Sequence, residues 1–190
     1  MSEPITAPGR PSEVRARERV GVLLDWAGGA SGGTSNPLRP CTPDVVVEAA
    51  RAQGVASLAA GHEELLLRAG AGGPGSALEE LFDSDLVGVE DMLGRPGTPP
   101  MREVGLELVE ALGYGLDEFD VVIRVRPGVE VEYVVAGSPD PPVWAFVAGG
   151  EDPILRHPSF TDWLAYRIVR AAKRRHPLCR VQVPAPAPVG

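Results

Sequence analysis

Residues 121–126 (VVIRVR) and 129–135 (VEVEYVV) are two β-branched runs divided by Pro127-Gly128, the local signature of a β-hairpin. A two-residue loop would pair Arg126 with Val129 and Ile123 with Glu132, mixing polar and apolar side chains on both faces. A three-residue loop pairs Arg126 with Glu130, Arg124 with Glu132, Val125 with Val131 and Ile123 with Tyr133. That register gives one charged face and one apolar face, and a slip of one residue would destroy the separation. Each opposite-charge pair contributes only about 0.2–1 kcal/mol, so burial of the apolar face must decide the pairing. The turn itself pulls the other way, because a three-residue loop favours Gly, not Val129, at its left-handed position. The side-chain pattern is the stronger constraint.

The segment C-terminal to the hairpin limits the fold further. The turn cluster Ser138-Pro139-Asp140-Pro141-Pro142 leads into residues 142–147 (PVWAFV), a third strand. After a short loop, Phe160, Trp163, Leu164, Ile168, Ala171 and Ala172 recur at helical spacing and form one apolar face. Ser159 is the expected N-cap, with Asp162 three residues on as the capping-box acid. Arg167, Arg170, Lys173, Arg174 and Arg175 crowd the C-terminal half, where positive charge suits the helix dipole, and Pro177 ends the helix. Trp144, Phe146, Phe160, Trp163 and Leu164 are the expected core anchors.

Upstream, Thr42-Pro43 opens a helix in the usual way, with Val46, Val47, Ala49 and Ala50 apolar and Gly54 closing it. Residues 58–69 form a second helix with Leu58, Leu65, Leu66 and Leu67 inward and His62, Glu63, Glu64 and Arg68 outward. A glycine-rich turn comes next at 70–75. Residues 77–93 then set Leu78, Leu81, Phe82, Leu86, Val89 and Met92 among Glu79, Glu80, Asp83, Asp85, Glu90 and Asp91. No basic residue lies between Arg68 and Arg95. A further helix over 103–112 carries Val104, Leu108 and Leu112 on one stripe and Glu103, Glu107 and Glu110 opposite. The stretch after it adds Asp117, Glu118 and Asp120.

The predicted organisation has three parts. Residues 1–40 are a flexible segment with a Gly/Ser-rich linker at 28–40, inside which 13–26 reads either as a short helix or as ending in a strand at 20–24. Residues 41–177 form an α+β domain, a mainly antiparallel sheet packed against several helices, the longest at its C-terminus. Residues 178–190 are a Pro/Ala-rich tail.

Charge is distributed unevenly. The chain carries a formal net −8, yet residues 167–190 hold six basic groups and no acid. The first 166 residues therefore have 12 basic against 26 acidic groups, a net of −14. An acidic body disfavours nucleic acid as the principal partner and favours a basic protein. Cys41 and Cys179 lack metal-ligand spacing, and no signal peptide or membrane span is read, which places the chain in the reduced cytoplasm. Whether the two cysteines pair is left open.

No motif calls for a cofactor or a metal. Residues 28–35 lack both Gly-x-Gly-x-x-Gly and a following Lys-Ser/Thr, so they do not read as a phosphate loop. His62-Glu63-Glu64 lacks the second histidine of a zinc protease, and the three histidines are scattered. His157 and Ser159 compose a triad only on paper, and Ser159 is better explained as a cap. The acidic set Glu79, Glu80, Asp83, Asp85, Glu90 and Asp91 is the sharpest candidate, as a surface meeting a basic groove on a partner. Its competing explanation is a solvated helix face.

The order of hairpin, strand 142–146, loop and Ser159-Phe160-Thr161-Asp162-Trp163-Leu164 resembles the C-terminal half of the SUKH superfamily. The helix 63–73, ending in Ala71-Gly72-Gly73, is similar to that family's helix ending in an Asn-Gly-Gly-like turn. The resemblance covers roughly residues 42–175 and implies an α+β fold with a strand near 86–89. It also implies no catalysis and a protein-binding role. Bacterial members are commonly immunity proteins that neutralise toxins, often nucleases, while some eukaryotic members are signalling scaffolds. The expectation is therefore a non-catalytic binding module occluding a toxin's active site, with a regulatory scaffold as the alternative. A small hydrolase working through His157 ranks below both.

Overall fold

The computed structural model describes residues 11–30, 38–70, 82 and 85–175 of the 190-residue chain. Four strands form an antiparallel meander in sequence order: β1 (Asp120–Arg126), β2 (Glu130–Val135), β3 (Val143–Val147) and β4 (Ile154–His157). The helices are α1 (Pro11–Ala30), α2 (Pro43–Ala52), α3 (Ala60–Ala69), α4 (Val89–Leu93), α5 (Met101–Glu110) and α6 (Phe160–Arg175). The α+β class is as expected.

The hairpin adopts the register argued from its side chains, with Arg126 opposite Glu130, Val125 opposite Val131 and Arg124 opposite Glu132. The pairing then shifts, so Tyr133 faces Val122 and not Ile123. The extra residue is a bulge, which lets Ile123 stay buried as Val121 and Val122 do. The turn conflict also resolves. Gly128 takes the left-handed backbone (φ 70°) behind Pro127, and the Val129 N–H donates to the Arg126 carbonyl at 2.9 Å. Pro-Gly thus occupies the two positions a type II turn gives it, and Val129 is spared the strained one.

Both faces of the sheet are covered. Neighbouring residues on a strand point to opposite faces. A Cβ built on Gly105 of α5 would lie 3.4 Å from Val131, while the Trp163 indole of α6 donates to Glu132. Helix α5 therefore lies on one face and α6 on the other. The buried stripe of α5 is Met101, Gly105 and Val109, with Val104, Leu108 and Leu112 only partly covered. The helix is rotated from the expected stripe because Gly105 lets its backbone approach β1 and β2 closely.

Helix α1 resolves the alternatives at 13–26 in favour of helix. It packs against α3 and α6 and adds Ala16, Val20, Leu23 and Leu24 to the buried interior. Arg17 pairs with Glu63 and Glu64, Arg19 with Asp140 and Asp162, and Asp25 with Arg68. A boundary at 28–40 thus does not divide a loose segment from the packed body. The helix continues through Gly28, and its apolar side is covered by α3 and α6. Residues 31–37, the glycine turn at 71–75, the tail and Cys179 lie outside the described residues.

At the outer edge of β1, Leu86 exchanges two backbone hydrogen bonds with Val125 as a single-residue bridge. Gln53, buried at the end of α2, accepts the Val122 N–H at 3.0 Å. Leu86 is the one strand-like residue in the 86–89 region, since Val89 already opens α4. Strand β4 lies where the sequence predicts only a loop, and it is short and largely exposed.

Candidate functional site

The charged face of the hairpin is not a solvent face. Arg124 is 3% exposed, and Glu130 and Glu132 are nearly as well covered. Arg124 donates to Asp85 through Nε and Nη2 at 2.6 Å each, to Glu130 at 2.7 Å, and approaches Glu132 at 3.1 Å. Arg156 of β4 reaches Glu130 at 2.8 Å. From α6, the Trp163 indole N–H donates to Glu132 at 2.8 Å, and Arg167 pairs with Asp85 at 3.3 Å. Arg167 also lies over the Phe82 ring, 5.1 Å from its centroid, and donates to the Phe82 carbonyl.

Three carboxylates thus face three guanidinium groups between β1, β2 and α6. Burial works against the charge of Arg124, yet Glu132, Asp85 and Glu130 outweigh it and hold its pKa above the ordinary value. Burial pushes the Glu130 carboxyl up, but its bond to Arg124 prevails and leaves the pKa lowered. For Arg167 burial dominates, with Arg124 adding to it, and the pKa falls below the usual guanidinium value.

This arrangement corrects one expectation. Asp85 is enclosed between Arg124 and Arg167 and is not part of an acidic docking surface. Arg167 lies on the buried face of α6, where it pairs with that acid. Of the other acids in that set, Asp91 accepts the Val87 and Gly88 N–H groups at the start of α4 and pairs with Arg95. Glu90 is exposed and pairs with Arg95 at 3.4 Å. Glu79, Glu80 and Asp83 lie outside the described residues.

The core anchors Phe160, Trp163 and Leu164 are fully buried, and Phe146 is buried against Tyr133 and Tyr114. Trp144 is only half-buried, because β3 is bordered by the thin edge strand β4. Ser159 caps α6: its hydroxyl accepts the Asp162 N–H and donates to Asp162 Oδ2. His157 meets the Tyr166 ring at 5.1 Å. His62 corrects a second expectation, being buried on α3 against α6 and not exposed. Its ring lies 5.3 Å from Phe160, Nδ1 has no hydrogen-bond partner, and burial lowers its pKa to about 4.

A different acidic surface emerges at α5. Glu103, Glu107 and Glu110 line its outer stripe. Arg102, on its first turn, donates to the carbonyls of Asp117 and Asp120 and so draws the 117–120 segment back to the helix start. The Asp117 N–H donates to the inward-turned Asp120 carboxylate at 2.8 Å. The Asp117 and Glu118 side chains are left outside beside Phe119, which at 57% is the most exposed large apolar residue described. No ion pair reaches Glu103, Glu107, Glu110, Asp117 or Glu118 among the described residues. The helical spacing of the three glutamates is visible in the sequence; that the 117–120 segment returns to their helix depends on the Arg102 tie.

Among the described residues no set of three His, Cys, Asp or Glu is placed to hold a metal ion. Nor is any helix there long and apolar enough to cross a membrane. Fold and site together define an α+β protein with a buried ionic cluster and an acidic surface that no ion pair reaches among the described residues. Comparisons with protein-family models, curated proteins and solved structures find no match for the chain.

Proposed function

We propose that this chain is a non-catalytic protein-binding module of the SUKH kind, working in the cytoplasm as an immunity protein that covers the active site of a basic toxin. The observation that carries the reading is a set of exposed carboxylates without an ion pair among the described residues, Glu103, Glu107 and Glu110 on α5 and Asp117 and Glu118 beside exposed Phe119 in the segment tied to that helix by Arg102. Glu63, Asp25 and Glu90 are matched by arginines, while other exposed acids without an ion pair among the described residues, such as Asp44 and Glu48, have no aromatic residue beside them in the chain. Acids left unmatched raise the rate and specificity of association with a basic groove. An exposed aromatic ring amid such charges supplies the apolar anchor that dominates binding energy. In this reading the surface lies on α5 and the segment after it; of the earlier acidic set, Asp85 and Asp91 are engaged in the fold.

The test is capture of partners from the native organism by the intact protein, beside a variant with Glu103, Glu107, Glu110 and Glu118 changed to Arg. A basic toxin-like protein retained by the wild type, released by salt and lost in the variant is the expected result. All four side chains are at the surface, so the melting temperature should stay close to wild type. Equal capture by both proteins refutes this surface as the interface.

A further inference from the structure

The two edges of the sheet are treated differently. That of β1 is sealed by the Leu86 bridge and by Gln53. The outer edge of β4 receives no backbone hydrogen bond from any described residue. Natural edge strands are normally blunted by charge, twist or cover. Here β4 presents Ile154 and Leu155 at 43% and 54% exposure, with Tyr166 of α6 (48%) beside His157.

The residues along this edge are self-complementary. Residues 151–157 read Glu-Asp-Pro-Ile-Leu-Arg-His, acidic at one end, basic at the other and apolar between. A contact across a two-fold axis joins the same patch on both subunits, so it must be complementary to itself. Antiparallel pairing centred on Ile154 sets Ile154 against Ile154 of a second copy and Asp152 against that copy's Arg156. Glu130 fixes the Arg156 guanidinium at 2.8 Å while leaving its side chain 36% exposed, so the cation is held at the edge. Pro153 lacks an N–H, so opposite Leu155 of the second copy it takes part only through its carbonyl, which can accept that copy's Leu155 N–H.

We propose that β4 is a homodimerisation edge: two copies pair antiparallel through residues 152–156 and join their sheets into one of eight strands. Sedimentation velocity on the full chain, from low to high micromolar, tests this. Wild type is expected to move from monomer to twice its mass. Leu155→Arg should remain monomeric with its melting temperature unchanged. As a second measure, Ile154→Cys, with Cys41 and Cys179 replaced by Ser, should cross-link to a dimer under mild oxidation. Val22→Cys on exposed α1, in the same background, should not. A wild type that stays monomeric, a dimer indifferent to Leu155→Arg, or equal cross-linking at both cysteines overturns the proposal. A monomeric result would leave the edge to a strand from another protein.

Discussion

Asp85→Asn tests whether the buried ionic cluster holds the fold together. One oxygen of Asp85 receives Arg124 Nε and Nη2 at 2.6 Å each and Arg167 Nη2 at 3.3 Å. The substitution keeps the shape but turns three carboxylates against three guanidinium groups into two against three. Arg124 retains Glu130 and Glu132. Arg167, 4% exposed, is left with only the Phe82 carbonyl and ring, since Asp85 is its one ion-pair partner among the described residues. Breaking a buried pair from one side typically costs about 3–5 kcal/mol, because the remaining charge is desolvated without compensation. That is a large share of the roughly 5–15 kcal/mol that keeps a domain folded. At about 2–4 °C per kcal/mol for a chain of this size, the midpoint should fall by about 6–20 °C. Urea unfolding and calorimetry at neutral pH measure both quantities. Glu90→Gln, which removes a surface partner of Arg95, is the control and should stay within about 1 kcal/mol. An Asp85→Asn protein within about 1 kcal/mol of wild type, the range of a surface pair, would refute the cluster's structural role.

His62 resists protonation down to about 4 in the fold against 6.5 in the unfolded chain. Its contribution to stability is therefore complete above pH 6.5 and is lost as the pH falls towards 4, by about 3 kcal/mol in all at roughly 1.36 kcal/mol per pKa unit. Urea midpoints across that window should show the loss in wild type and a flatter profile in His62→Leu; parallel profiles would contradict it. Trp163→Phe keeps a ring between Phe82 and Phe160 but removes the N–H donated to Glu132, and should cost about 1–3 kcal/mol. Trp163→Ala also opens a cavity and should cost about 3–5 kcal/mol. Calorimetry on both variants separates the two contributions, and equal losses would show that filling the space around the ring adds nothing.

The legible part of the fold is local. The register from Arg126 back to Arg124 follows from side chains on two adjacent strands, and α6 from its apolar spacing and Ser159 cap. The bulge at Ile123 leaves no trace, since Val121, Val122 and Ile123 are interchangeable as apolar residues. Asp85 looks like one more acid in an acidic run because its partners, Arg124 and Arg167, lie 39 and 82 residues away. His62 looks solvent-facing beside Glu63 and Glu64, yet the helix turns it towards Phe160. The SUKH resemblance implies a strand in the 86–89 region, and one residue, Leu86, takes that place. Glu103, Glu107 and Glu110 are legible as the outer stripe of a helix, but the denser acidic run before them is the louder signal. Strand β4 is too short to carry any periodicity.

Helix α1 has a consequence for synthesis. Its apolar side is shared between α3, some thirty residues downstream, and α6, which begins at Phe160. At about 5–20 residues per second on the ribosome, α1 waits on the order of ten seconds for its second partner. During that interval the apolar side of α1 has α3 beside it but nothing on the α6 side. A product truncated before residue 160 keeps that surface open permanently, together with Arg19 deprived of Asp162. Quality-control machinery would therefore meet an incomplete chain first at its N-terminal helix, far from the point where translation stopped.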